Sequence, residues 1–556
     1  MRTVFQAALV VLLVLKPLPS CGEEGAVEVR EQLADAVTAP EEQQIAILTA
    51  LAESGDEFVA VALTAWRRGE MFLIDHEGAP VPALLENADS KEPVRGFLLR
   101  TGEVMADASG KVLTFVPKQQ KAADTSSALR KQIKKTIDLL AISDRDPENR
   151  ASGVLKLGLM QRPEYFEVLK QRLAIEKDPD VLKKLKEGIA VSALALGEPD
   201  EVVAAVKTLG ELRSIAGLDS LNNIIKTQEE LPAAEQNVPL LKEATRSVKV
   251  IDDYLAWVDR AGTAFRGVSL GSVLLIVSLG LAITFGLMGV INMAHGEMIA
   301  IGGYSAYMME KWMTAMFGDG ALQWYFLVAI PFSFLMAALA GLVLERSVIR
   351  LLYRRPLESL LATWGVSLIL EQLFRLYFGA ANVQVNSPDW LQGSLVISDV
   401  SLGYNRMFVI LFAVLIVLAT VLLMAKTPLG LCIRAVMQNR DMAACVGIQT
   451  SKIRMMTFAF GSGLAGLAGC FLSQIGNVGP TMGQNYIVDS FMVVVAGGVG
   501  NLFGTVLAAM GIGMTDQMLQ PVLGPVMGKV CVLVAIILFL QWRPGGLFAA
   551  RSRSLD

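Results

Sequence analysis

Residues 267–296 form thirty consecutive positions without an Asp, Glu, Lys or Arg, and no other feature limits the fold of this chain so strongly. A helix of that length measures about 45 Å, whereas the hydrocarbon layer of a bilayer is about 30 Å thick. The run is too apolar for an exposed soluble helix and too long for one straight crossing. A turn is therefore expected near Gly286–Asn292, with a second segment over about 290–312. Further apolar segments follow at about 322–345, 359–380, 406–425, 455–475, 487–519 and 523–542.

Charge divides the chain in two. Residues 1–260 carry 32 Lys and Arg against 41 Asp and Glu, whereas residues 261–556 carry 17 against 12. The first part reads as a soluble region of net charge −9, the second as a membrane domain over 260–548. The acidic balance argues against a nucleic-acid partner. Only two histidines occur, His76 and His295, far apart in sequence, so a His-based metal site or a Ser-His-Asp triad is not expected. The five cysteines show no disulfide spacing and read as small buried thiols.

Arg2, the apolar stretch Val4–Leu15 and the small residues after it read as a signal peptide over 1–21. Leu18-Pro19-Ser20-Cys21 also resembles a lipoprotein cleavage box, from which Pro19 departs. Such a leader implies that 22–255 is exported. Within it, 22–125 reads as an α/β-rich region: helical spacing over 27–53, broken near Pro40, then a small β-rich unit from FVAVAL, MFLI and KVLTFV between Gly-containing turns, one of them holding His76. Over 126–255 helical periodicity returns. Asp146-Pro147, Asp178-Pro179 and Glu198-Pro199 each supply a cap and a first-turn proline, and this recurrence suggests stacked, HEAT-like helices. The fold class is thus mainly α: a polytopic helical membrane domain of about seven crossings plus a re-entrant helical pair, preceded by an exported soluble domain.

Orientation follows from the basic residues. Clusters at 346–355, 426–454 and 543–553 should face the cytoplasm, while 376–405 and 476–489 are nearly free of Lys and Arg. With 22–255 outside, parity requires 487–519 to enter and leave on the outer face, breaking at Gly497-Gly498-Val499-Gly500-Asn501. The C-terminus is then cytoplasmic.

Polar groups inside a membrane are costly and mark functional hypotheses. The densest set is Asn292, His295 and Glu297, at the expected bend; the alternative is a polar knot that satisfies the bent backbone. Glu371 and Arg375, four apart, can pair on one helix face. Thr363 adds a hydroxyl. Gly461, Gly463, Gly466 and Gly469 make a small-residue face suited to close packing. Gly524–Lys529 superficially resembles a phosphate loop, but its spacing is short and no stretch fits GxxxxGK[ST], so ATP use would need a separate motor. The loop Lys426–Arg454 suggests where such a motor attaches. It reads as a turn at Thr427–Gly430, then an amphipathic helix Ile433–Val446 ended by Gly447.

VSLGLAITFGLMGVINMAHGEMIAIGGYSAY (277–307), RRPLESLLATWGVSLILEQ (354–372), TPLGLCIRAVMQNRDMAACVGI (427–448) and VVVAGGVGNLFGTVLA (493–508) resemble the branched-chain amino-acid type of ABC-importer permease. With its long N-terminal extension, the chain looks like the B-type permease branch that serves urea. The resemblance implies a bacterial inner-membrane permease, not an enzyme, without a cofactor of its own. It also implies a second permease subunit, two cytoplasmic ATPases that bind ATP, and a periplasmic solute-binding protein. Asp441-Met442-Ala443-x-x-x-Gly447 matches in part the ATPase-docking pattern Glu-Ala-Ala-x-x-x-Gly, which makes Arg434, Asp441, Ala443 and Gly447 the coupling residues. The expected solute is urea, met by Asn292, His295 and Thr363, with Glu297 and Glu371 on the same pathway. A branched-chain amino acid or short amide, or passive urea conduction, are the alternatives.

Overall fold

The computed structural model describes residues 23–548 apart from 53, 55, 77–78, 89, 91, 108–110, 233, 289–291 and 353–354. The expected signal peptide and lipoprotein box lie outside the described residues. The chain divides into two compact units between Tyr254 and Leu255.

In the first unit, helices α1 (Glu23–Thr38), α2 (Glu41–Leu51) and α3 (Glu57–Arg68) precede a five-stranded antiparallel sheet. Its strands are β1 (Met71–His76), β2 (Ala79–Leu85), β3 (Val94–Leu98), β4 (Thr114–Phe115) and β5 (Lys121–Ala122), in spatial order β4-β3-β2-β1-β5. One expectation fails here: FVAVAL is helical. Asp56 accepts from Phe58 N at its start, Gly69 (φ 76°) closes its end, and Phe58, Val59, Ala62, Leu63 and Trp66 form one buried face. Six apolar residues in a row fit either period, and the caps decide. KVLTFV contributes only Thr114 and Phe115 to the sheet, and His76 ends β1 opposite Ala79 rather than sitting in the turn.

Six helices follow: α4 (Ser127–Leu140), α5 (Pro147–Leu159), α6 (Pro163–Ile175), α7 (Pro179–Leu196), α8 (Pro199–Leu212) and α9 (Leu218–Glu230). Asp146 and Asp178 cap α5 and α7 through their carboxylates, whereas Glu198 makes no side-chain cap. Helices α5 and α7 touch backbone to backbone: a Cβ on Gly158 would stand 2.3 Å from the Gly188 Cα. Glu176 ties three elements together, accepting from Arg150 (3.2 Å), from Arg172 (3.3 Å), and from the backbone N–H of Lys177 and Asp178. Burial alone would push its carboxyl up. The Arg150 guanidinium and the backbone N–H groups of Asp178 and Lys177 outweigh it and hold the group below the usual value of 4.5.

The second unit begins within α10 (Val238–Met288), which stops inside the stretch where the bend was expected. The rest comprises α11 (His295–Phe317), α12 (Tyr325–Leu344) with a π-helical turn at Glu345–Ile349, and α13 (Pro356–Phe378). A hairpin of β6 (Ser394–Ile397) and β7 (Val400–Gly403) comes next, then α14 (Tyr404–Lys426), α15 (Pro428–Gln438), α16 (Arg440–Cys445) and α17 (Thr450–Ile475). The unit closes with α18 (Met482–Gly497), α19 (Leu502–Leu523) and α20 (Pro525–Trp542). Among the described residues seven helices are long and apolar enough to cross a membrane: α10, α12 to α14, α17, α19 and α20. Helices α11 and α18 fall outside that set.

Helix α17 is the centre of this unit, and its glycines explain why. A Cβ on Gly461 would meet the Gly280 carbonyl oxygen at 2.7 Å, one on Gly466 the Ser333 carbonyl oxygen at 2.7 Å, and one on Gly469 the Ile299 carbonyl oxygen at 1.9 Å. Three helices, α10, α12 and α11, therefore approach one small-residue rod. In contrast, α13, α14 and α20 leave most of their apolar surface outward, as helices facing lipid or another protein do.

The segment 487–519 resolves into α18 and α19, joined at 498–501, where Gly498 (φ 99°) and Gly500 (φ 80°) take conformations that favour glycine. The pair is deep. Its tip meets the segment after α20, with Leu547 N donating to Ala496 O at 2.8 Å, and Gly500 lies against Met437 of α15. The tip, the loop 426–454 and Arg543 thus share one end of the unit, called here the basic end.

Three expectations for that loop and the thiols are corrected. Thr427–Gly430 is not a turn: Thr427 caps α15 through Gly430 N, and Pro428 opens the helix. The expected single helix is two, because Asn439 is extended (φ −156°) and its side chain caps α16 through Met442 N. Cys470 is buried, but Cys445 is exposed and Cys432 and Cys531 are half-buried.

Candidate functional site

Helix α13 carries Ser359, Thr363, Ser367, Glu371 and Arg375 at a spacing of four. Residues four apart stack on one helix face, so these five make a polar ridge about 24 Å long at 1.5 Å per residue. Four of the five face inward: Ser359 and Thr363 have no exposure and Ser367 and Glu371 are 4% and 5% exposed, whereas the Arg375 side chain is 41% exposed. Leu357, Leu361, Trp364, Leu368 and Leu376, on the opposite side, are all exposed. The helix is amphipathic in the inverted sense, polar face inward and apolar face outward, as a packed span in lipid requires.

The N-terminal turn of α11 packs against this ridge. Thr363 Oγ1 accepts from Met293 N at 3.2 Å, and Asn292 Oδ1 accepts from Ala294 N at 3.1 Å. Both side chains therefore serve the bent backbone, which is the polar-knot alternative. They do not exhaust the polar groups there. Asn292 Nδ2, His295 Nδ1 and Glu297 Oε2 are buried with no hydrogen-bond partner among the described residues. His295 Nε2 is 3.3 Å from the Val277 carbonyl, and Ser367 Oγ donates to Glu297 Oε1 at 2.8 Å. His295 is thus turned to α10 and Glu297 to α13, and each leaves a buried polar atom that water or a polar solute would satisfy.

One turn further along the ridge, Glu371 pairs with Arg375 at 2.5 Å, as the spacing implied, and also accepts from Gln484 Nε2 at 2.6 Å. Gln484 lies in the first turn of α18. That end of α18 crosses α11 closely, since a Cβ on Gly296 would stand 2.6 Å from the Gly483 carbonyl oxygen. The next turn opens into a cavity of 310 Å³ whose polar lining comes from Asn382, Asn477, Thr481, Asn485 and Tyr486. Val383 and Val478 exchange backbone hydrogen bonds of 2.8 and 2.9 Å beside it, fixing its rim. Glu297, Thr363 and Glu371 thus meet on the α13 face with Met293 against it, whereas His295 is turned to Val277 of α10. Ser359, Ser367, Gln484 and the cavity asparagines were missed; the ridge was detectable by extending the Glu371–Arg375 spacing backwards in steps of four.

At the basic end, Arg434, Asp441 and Gly447 are exposed, and Gly447 takes φ 90°. Ala443 is not available for docking: it is 5% exposed and turned into the core, whereas its neighbours Met442 and Val446 are 60% and 77% exposed. Among the described residues no group of three or more His, Cys, Asp or Glu is arranged to hold a metal. Lys529 of the phosphate-loop lookalike is paired with Asp489 at 3.2 Å.

The family described as branched-chain amino acid transport system / permease component matches residues 263–540. The chain is 27% identical over 290 residues to the high-affinity branched-chain amino acid transport system permease protein LivH of Salmonella typhimurium, covering 51% of this chain and 93% of that protein. It is 27% identical over 289 residues to the corresponding permease protein BraD of Pseudomonas aeruginosa, with the same coverage. The xylose transport system permease protein XylH of Haemophilus influenzae is 33% identical over 141 residues, 24% of this chain and 37% of that protein. No solved structure matches. All three relatives are transport permeases rather than enzymes, and the family match spans the stretch that holds the buried ridge and the apolar helices. The chain is a multi-pass membrane protein that belongs to the branched-chain amino acid transport system permease family.

Proposed function

We propose that this chain is the membrane subunit of an ATP-driven importer for urea, and that the solute passes along the inward ridge of α13. The observation that carries the reading is the ridge itself, with its orphaned Asn292, His295 and Glu297 atoms and a polar cavity at its far end. Urea is small, neutral, and rich in donors and acceptors. Asparagine amides, hydroxyls and a carboxylate can bind it by hydrogen bonds alone. The ridge's one cation, Arg375, is neutralised by Glu371, which disfavours a solute that needs both an ammonium and a carboxylate site. Branched-chain amino acids remain the second reading, favoured by the names of LivH and BraD.

In this reading the basic end is cytoplasmic, the first unit is periplasmic and the 310 Å³ cavity opens outward. Two ATPase subunits grip the loop through Met442, Val446 and Asp441. Their closure tilts α15 and α16 and, through Met437 against Gly500, the α18–α19 hairpin. A second permease subunit and a periplasmic binding protein complete the importer; the binding protein supplies most of the specificity, because a tight membrane site would trap its solute. Deleting the gene and measuring uptake of labelled urea and labelled leucine at low concentration tests the assignment. Loss of urea uptake alone supports it, and unchanged urea uptake rejects it.

A further inference from the structure

A second cavity, of 630 Å³, opens at the basic end between α10, α14, α15 and the first turns of α19. Its wall is apolar over two turns of helix: Val417, Val421 and Met424 on α14 face Phe503 and Val506 on α19. Val421 and Phe503 are 42% and 62% exposed, so the cavity is open sideways to whatever surrounds the helices. Its lining holds a single charged residue, Arg434, on α15 at the mouth. Arg434 is exposed and makes no ion pair among the described residues.

An apolar slot running up from an interface, with one uncompensated guanidinium at its foot, has the two-part chemistry of an amphiphile with an anionic head. We propose that an anionic phospholipid occupies this cavity, with one acyl chain laid between α14 and α19 and its phosphate on Arg434. Guanidinium matches phosphate geometry in bidentate fashion, and basic pockets between spanning helices at the cytoplasmic face suit such headgroups. The position gives the lipid a consequence. It would touch α15 and the α18–α19 tip together, the two parts through which loop movement reaches the membrane, so it would wedge or brace that joint. This assignment rests on the cavity and Arg434 and is independent of which solute the ridge carries.

Native mass spectrometry of the purified full chain tests it, with phosphatidylglycerol and phosphatidylcholine of the same acyl chains as probes. The expected result is one phosphatidylglycerol retained through detergent exchange. Retention should fall at least tenfold in Arg434→Gln, persist in Arg434→Lys, and be lost in Val421→Trp, which fills the slot while leaving the charge. Circular dichroism on each variant separates lost binding from lost folding. Equal retention of the two lipids by the wild type, or undiminished phosphatidylglycerol on a folded Arg434→Gln, would overturn the proposal. So would a density map of the assembled transporter with a protein segment filling the slot.

Discussion

Replacing Gly469 by Ala perturbs the packing that holds the ridge in place. The new Cβ would stand 1.9 Å from the Ile299 carbonyl oxygen, 2.8 Å from the carbonyl carbon and 2.9 Å from Gly303 N. Ordinary contact begins near 3.4 Å, so α11 and α17 must part by about 1.5 Å, and these are backbone atoms with no rotamer in which to escape. Overpacking of this kind costs about 1–3 kcal/mol. Glu297 rides on α11 and its bond from Ser367 is 2.8 Å; a movement of 1.5 Å is enough to break it. Losing a hydrogen bond to a buried carboxyl group costs about 1.5–3 kcal/mol more. A total of roughly 2.5–6 kcal/mol is expected, together with loss of uptake, because the ridge would no longer meet α11. The control is Gly365→Ala on α13, where nothing lies within 4 Å of the new Cβ and the gain in helix propensity is at most about 1 kcal/mol. Thermal unfolding of both variants in detergent, with uptake in proteoliposomes of the assembled transporter, gives the comparison. Gly469→Ala with the unfolding midpoint and uptake of wild type would refute the packing argument.

Other substitutions probe separate parts. Glu176→Gln leaves Arg150 and Arg172 without their carboxylate and should cost about 3 kcal/mol, read as faster hydrogen exchange in α5 and α6. Because the folded carboxyl of Glu176 sits below its ordinary value, its stabilisation is complete above about pH 4.5 and is lost as pH falls through the lower folded value. Acid unfolding of α5 and α6 should therefore begin at higher pH in proteins whose Arg150 is replaced by Met. Met442→Ser with Val446→Ser, both exposed, should leave unfolding unchanged yet lower ATP-driven uptake at least tenfold. Asn439→Ala removes the α16 cap and should cost about 1 kcal/mol, with proteolysis of the 439–448 segment as the readout.

What the sequence disclosed and what it withheld divide along physical lines. A thirty-residue uncharged run cannot cross straight, so the stop of α10 at Met288 and the restart at His295 were legible. So were the glycine face of α17 and the Glu371–Arg375 pair, both products of helical spacing. Ser359 and Ser367 were not, because a serine costs little in a spanning helix and returns its hydroxyl easily to the backbone. Only its register with Thr363 and Glu371 gives it meaning. Gln484 lies 113 positions from Glu371, and no local pattern announces such a partner. FVAVAL was misread because its apolar run fits two periods. The loop helix was misread because Asn439 can continue a helix or cap the next one, and neighbours across space decide which.

The central claim, that solute travels along the inward face of α13, is most directly tested by single cysteines in a cysteine-free background. Each would be probed in the assembled transporter with a small, water-soluble, membrane-impermeant thiol reagent. The account expects modification at 363, 367 and 371, slowed by urea, and none at 361, 364 and 368, which face lipid or protein. Modification without that four-residue rhythm, or ridge positions that stay unreactive throughout turnover, would contradict it.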